Sequence, residues 1–252
     1  MSGRPAGVGL VAFPGFFRSD ALTPKNIPNR ERLIFAMDVA DPQAARQLVE
    51  QLGDAVVFYK IGLELFMSGG YFELLDWMVV RGKKIFVDLK FFDVPATVAA
   101  AVKQLRNRGV TFATIHGNQA IMEAAAVAKG DVKILAVTVL TSLDEADLRA
   151  VGLEGTPGSA VERLARLAAS AGLDGVVCSA QEAPALRSAF GREFKLVTPG
   201  IRPAGSAKDD QTRIVTPAAA LSAGADYLVI GRPITQAPDP LAALAAINAS
   251  LA

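Results

Sequence analysis

Ile134-Leu135-Ala136-Val137-Thr138-Val139-Leu140 is apolar at almost every position and shows no alternation of hydrophobic and polar side chains. A strand with one wet face alternates, whereas a strand covered on both faces does not, so this run predicts a buried strand of a parallel sheet. Working outward, seven similar runs recur along the chain: Leu33–Asp38, Val56–Ile61, Lys84–Lys90, Phe112–His116, Gly175–Ser179, Lys195–Thr198 and Tyr227–Gly231. Ala/Leu-rich helical stretches alternate with them, eight of each. Residues 33–252 divide into units of about 27 residues, close to the ~30 of a βαβ repeat. The economical reading is α/β class: a single (β/α)8 TIM barrel over residues 33–252, preceded by an N-terminal arm at 1–32. A doubly wound open sheet is the rival arrangement.

Helix starts support the pattern. Asp41-Pro42, Thr216-Pro217 and Asp239-Pro240 each place a capping side chain before a proline suited to the first turn. Ser142/Glu145, Ser159/Glu162 and Ser179/Glu182 have the spacing of capping boxes.

Composition removes whole classes of function. With 26 Lys and Arg against 25 Asp and Glu, the chain has no broad basic field for nucleic acid or anionic lipid, and a small-molecule substrate is expected. Cys178 is the only cysteine and His116 the only histidine, which excludes an intrachain disulfide, a thiolate cluster and a multi-histidine metal site. No apolar run reaches the roughly 18–20 residues of a membrane span. The apolar stretch Val8–Phe17 is broken by Pro14-Gly15, so it is not read as a signal peptide, and a cytoplasmic protein is expected.

In a barrel of this type the chemistry belongs at the C-terminal ends of the strands. Charged residues gather there: Asp38 ends the first strand, Lys60 is near the end of the second, and the third finishes Asp88-Leu89-Lys90 and is followed by Asp93. Strand alternation predicts that Asp88 and Lys90 share the inward face. Internal salt bridges, with Asp93 capping the helix near Pro95, are the structural alternative, but burying several ions is costly, and their convergence on one mouth favours function. An ammonium flanked by carboxylates stays charged, so Lys90 reads as an acid rather than as a Schiff-base nucleophile. It could stabilise negative charge developing on carbon and then deliver a proton.

A second cluster lies on the last two strands, in Thr198-Pro199-Gly200-Ile201-Arg202-Pro203, Gln211 and Gly231-Arg232-Pro233. Loops after strands seven and eight commonly hold phosphate in such barrels, so a phosphorylated substrate is expected.

Asp88-Leu-Lys90-Phe-Phe-Asp93-Val-Pro95-Ala-Thr97 resembles the Asp-x-Lys-x-x-Asp signature of the orotidine 5′-monophosphate decarboxylase family. Ala136–Ser142, Asp174–Glu182, Leu196–Pro203 and Tyr227–Pro233 resemble blocks of its bacterial branch, so the likeness spans essentially residues 33–252. It implies a metal-free, cofactor-free homodimer that converts orotidine 5′-monophosphate to uridine 5′-monophosphate and carbon dioxide in de novo pyrimidine synthesis. By that resemblance Lys90 is the proton donor to C6 and Asp88 lies beside the departing carboxylate. Asp93 and Thr97 complete the neighbouring subunit's site. Asp38 and Lys60 contact the ribose and support the charge network, and Thr141 contacts the pyrimidine region. Arg202, Gln211, Gly231 and Arg232 hold the phosphate, with the segment at 202–213 as a lid. Phe92 and Ala96 depart from the His and Asn of many relatives. A metal-dependent sugar-phosphate relative is disfavoured by Lys60, which would repel a divalent cation. A non-catalytic nucleotide-phosphate binder is disfavoured by the retained charges.

Overall fold

Lys133–Val137 forms strand β5, buried at four of its five positions, within a closed barrel of parallel strands. The computed structural model describes residues 25, 27–203 and 214–251. In chain order the strands are β1 (Leu33–Met37), β2 (Phe58–Gly62), β3 (Lys84–Phe91), β4 (Val110–Ile115), β5, β6 (Gly175–Val177), β7 (Lys195–Thr198) and β8 (Tyr227–Ile230). Each pairs in parallel with the next, and β1 closes on β8 through Leu33–Leu228, Ile34–Val229 and Phe35–Ile230. The open-sheet alternative is thereby excluded.

The helices among the described residues are α1 (Asn29–Arg32), α2 (Pro42–Leu52), α3 (Leu63–Met67), α4 (Tyr71–Val80), α5 (Pro95–Lys103), α6 (Gln119–Ala128), α7 (Glu145–Ala150), α8 (Pro157–Ser170), α9 (Ala183–Phe190), α10 (Pro217–Ser222), α11 (Arg232–Thr235) and α12 (Pro240–Ala249). Eight of these are the expected partners of the strands. The short α1 precedes the barrel, while α3, α7 and α11 are extra turns in the loops after β2, β5 and β8.

Asp41, Thr216 and Asp239 cap α2, α10 and α12 as expected, each accepting from backbone N–H groups of the first turn ahead of a proline. The three serine boxes do not form. Asp144 caps α7 with Asp147 as its reciprocal partner, and Thr156, followed by Pro157, caps α8. Glu182 stands at the α9 cap position but its side chain does not cap the helix, and Ser179 Oγ instead accepts from the Gln181 amide at 3.3 Å. A carboxylate and a threonine-proline pair nearer the true helix start satisfy the orphan amides first.

Two cores hold the molecule. One lies between strands and helices, and a smaller one fills the barrel with Ile34, Ala36, Phe58, Phe86, Phe112, Leu135, Val197 and Val229. Phe112 packs against Phe58 and Tyr227 at centroid separations of 5.3 and 5.1 Å, forming an aromatic plug. Two residues beyond Ala36, Phe58, Phe86 and Phe112 on their strands come Asp38, Lys60, Asp88 and Thr114, so the plug floors the mouth where the polar residues gather.

The opposite end of the barrel has its own ionic node. Asp226, just before β8, is buried and accepts from Lys25 Nζ at 2.8 Å, Arg187 Nη2 at 2.8 Å and the Leu196 amide at 2.9 Å. Arg32 Nη2 donates to the Lys25 carbonyl at 3.1 Å. The described end of the arm is therefore fastened beneath the barrel.

Candidate active site

The third strand carries the central irregularity. Val87 pairs with Ala113 and Phe91 with Ile115, so Asp88, Leu89 and Lys90 stand opposite Thr114 alone. Lys90 adopts φ +49°, in the left-handed region that favours glycine. Asp88 and Lys90 do meet, with Nζ 3.0 Å from Oδ1. They meet through this bulge, which corrects the expectation from simple strand alternation: a regular ladder carries no two-residue excess.

Asp88 is also 3.6 Å from Lys60 Nζ, and Lys60 reaches Asp38 Oδ1 at 3.0 Å. The four residues thus form a chain of alternating charge, Asp38–Lys60–Asp88–Lys90. Burial alone would push the Asp88 carboxyl up, but the ammoniums of Lys60 and Lys90, with hydrogen bonds from Lys90 and Thr114, outweigh it and hold the group below the usual carboxylate range. Burial alone would likewise pull Lys60 down, and the charges of Asp88 and Asp38 hold it above the ordinary lysine value. Asp38 is the outer end of this chain, its side chain 59% exposed at the rim.

Gly62, the partner of Asp88 across β2 and β3, leaves room for this chain: a Cβ there would sit 3.4 Å from Lys60 Nζ. Sequence reasoning missed both Gly62 and Thr114. A hydroxyl in the otherwise apolar stretch Phe112–Ile115, two residues before His116 on the same face, was the available signal for Thr114.

The pocket over the aromatic floor is lined by Asp38, Lys60, Asp88 and Lys90 on one side. Thr141, Gly200, Arg202, Gly231 and Arg232 line it as well, joined by the apolar side chains of Val137, Val139 and Val177. Arg202 is buried and its Nη1 donates to the Ile201 carbonyl at 3.1 Å. Arg232 opens the short helix α11 directly after Gly231, an arrangement suited to an anion. One end of the pocket therefore carries two arginines, and the other carries Lys90 and Lys60 among carboxylates.

Asp93 and Thr97 do not line this pocket; both are exposed beyond β3. Asp93 Oδ1 accepts from the Val94 amide at 2.6 Å, while Val94 occupies the cap position of α5 without a side-chain bond, so Asp93 is not that helix's cap. Gln211 and most of the 202–213 segment lie outside the described residues. His116 Nδ1 lies 3.0 Å from the Val137 carbonyl, which ties the ends of β4 and β5 together.

A family profile described as orotidine 5′-phosphate decarboxylase / HUMPS matches residues 31–247. The orotidine 5′-phosphate decarboxylase of Methylococcus capsulatus is 57% identical over 220 residues, covering 87% of this chain and 91% of that protein. The protein of the same name from Stenotrophomonas maltophilia is 51% identical over 231 residues, covering 91% and 96%. Among solved structures, orotidine 5′-phosphate decarboxylase from Lactobacillus acidophilus superposes with a TM-score of 0.77 at 36% identity, covering 88% of this chain and 99% of that one.

Proposed function

The chain belongs to the orotidine 5′-phosphate decarboxylase / HUMPS family and is a carboxy-lyase of its decarboxylase branch, and from that premise we propose how its residues carry the reaction. The substrate is orotidine 5′-monophosphate and the products are uridine 5′-monophosphate and carbon dioxide, within pyrimidine biosynthesis. The observation that carries the reading is the charge chain Asp38–Lys60–Asp88–Lys90 in a pocket whose other end holds Arg202 and Arg232.

Arg202, Arg232 and the Gly231 backbone take the phosphate, with Gln211 from the loop, while Thr141 faces the pyrimidine and Asp38 and Lys60 the ribose. The bond between C6 and its carboxylate breaks and leaves its electron pair on C6. The Lys90 ammonium, aimed by Asp88, is matched best to that localised charge, so it lowers the barrier selectively and then transfers a proton from Nζ to C6. Asp88 fixes that ammonium and lies where the leaving carboxylate departs. Lys60, tied to both Asp38 and Asp88, keeps the carboxylates from repelling each other.

Residues 33–252 act as one catalytic unit with 1–32 as an appended arm, in the cytoplasm, without metal or cofactor. The working form is a homodimer. Exposed apolar side chains after the neighbouring strands β2 and β3, Leu63, Phe66, Met67, Phe92 and Val94, support this surface as the interface. They flank Asp93 and Thr97, which there reach the partner's pocket. The test is the ultraviolet absorbance of orotidine 5′-monophosphate mixed with EDTA-treated protein and with Lys90→Ala. Conversion by the wild type alone, with uridine 5′-monophosphate still bound by the variant, is expected; no conversion by either would overturn the reading.

A further inference from the structure

Thr114 is fully buried on β4 and its hydroxyl has two partners in the machinery of β3. It donates to Asp88 Oδ1 at 2.9 Å and accepts from the Lys90 backbone amide at 3.0 Å. Both bonds fall where the ladder between β3 and β4 is interrupted, so a side chain supplies what the backbone of β4 does not. Asp88 Oδ1 is the same oxygen that receives Lys90 Nζ.

We propose that Thr114 is a positioning residue for the decarboxylation, its single hydroxyl fixing the Asp88 carboxylate and the left-handed Lys90 backbone relative to each other. Three facts support this together. The Lys90 conformation is strained for a residue with a Cβ and persists only where its surroundings over-determine it. The Lys90 amide is held by Thr114 Oγ1, so loss of the hydroxyl frees the backbone that aims the ammonium. Rotation of the Asp88 carboxylate is blocked because Oδ1 is shared between Thr114 and Lys90 while Oδ2 faces Lys60. Thr114 does not line the pocket, so it acts through these two groups and not on the substrate.

The inference rests on the proposed roles of Asp88 and Lys90, and the experiment separates the two. Steady-state decarboxylation of orotidine 5′-monophosphate is measured for wild type, Thr114→Val and Thr114→Ser. Valine keeps the branched shape that suits a strand and removes only the hydroxyl. A fall in kcat of about thirtyfold is expected for Thr114→Val, with KM within about threefold, as for loss of a hydrogen bond to a charged group. Thr114→Ser is expected within about threefold of wild type in kcat because it retains the hydroxyl. Full kcat in Thr114→Val, a change confined to KM, or a serine variant as slow as valine would overturn the inference. Should the valine variant not fold, Thr114→Ala against Thr114→Ser asks the same question of the hydroxyl. A wild type without turnover overturns the functional reading instead.

Discussion

Asp88 and Lys60 stand on adjacent strands two residues out of register, Asp88 pairing with Gly62, yet their charged atoms lie 3.6 Å apart across the floor of the pocket. The missing side chain at Gly62 is what lets Lys60 lean along the strand to meet a carboxylate one pleat ahead. This contact couples the stability of the barrel to the ionisation of its active site.

The Asp88 carboxyl is held below its unfolded value, so its contribution to stability is complete above about pH 4 and is lost as pH falls through the lowered folded value. Urea unfolding of wild type and Asp88→Asn between about pH 5 and pH 2 should show the wild type losing stability more steeply than the variant. Parallel curves would refute the coupling.

Lys60 is the shared cation of Asp38 and Asp88, and Lys60→Met should lower unfolding stability at pH 7 by about 3 kcal/mol, because the buried Asp88 carboxylate loses one of its two ammonium partners. Lys60 is held above its unfolded value, so the stabilisation is present below about pH 10.4 and fades as pH rises through the folded value. Chemical denaturation of both proteins at neutral and strongly alkaline pH checks this, the gap closing only in the second.

Asp93 is exposed and outside its own chain's pocket, so a shared-site homodimer makes a quantitative demand. Lys90→Ala and Asp93→Ala chains, each inactive alone, should regain about a quarter of wild-type activity after mixing in equal amounts and exchanging subunits, since half the dimers then contain one intact site. Activity that stays at the level of the separate variants would exclude that sharing.

A Cβ at Gly231 would lie 3.0 Å from the Ala36 Cβ and 3.7 Å from Asp38 Oδ2. Gly231→Ala should raise KM about tenfold while leaving kcat within about threefold, because the crowding shifts the anion-holding turn and not the ammonium. A fall confined to kcat would move Gly231 out of the binding role proposed for it.

The barrel was legible because its signals are periodic and redundant. An unalternating run such as Ile134–Val137 has one physical reading, and the aspartate-proline and threonine-proline starts agree with it. The charged residues were legible for the opposite reason, since Lys60, Asp88 and Lys90 are expensive where an apolar strand is expected. What escaped depends on exact geometry. Nothing in Asp88-Leu89-Lys90 announces a bulge, because the left-handed position is filled by lysine where a glycine would have flagged it. Thr114 was overlooked because threonine is an ordinary strand residue whose hydroxyl gains meaning only from its neighbours. The boxes at Ser142 and Ser159 misled because spacing alone ignores a stronger cap a few residues away, Asp144 in one case and Thr156 in the other.

The ionic node around Asp226 lies at the end of the barrel away from the pocket, and Lys25 is clasped there. The chain therefore enters the barrel from the end opposite its chemistry, held there at Lys25. Lys25 is separated from the charge chain at the mouth by the full height of the aromatic plug, so a change at this clasp reaches the chemistry only through the barrel itself.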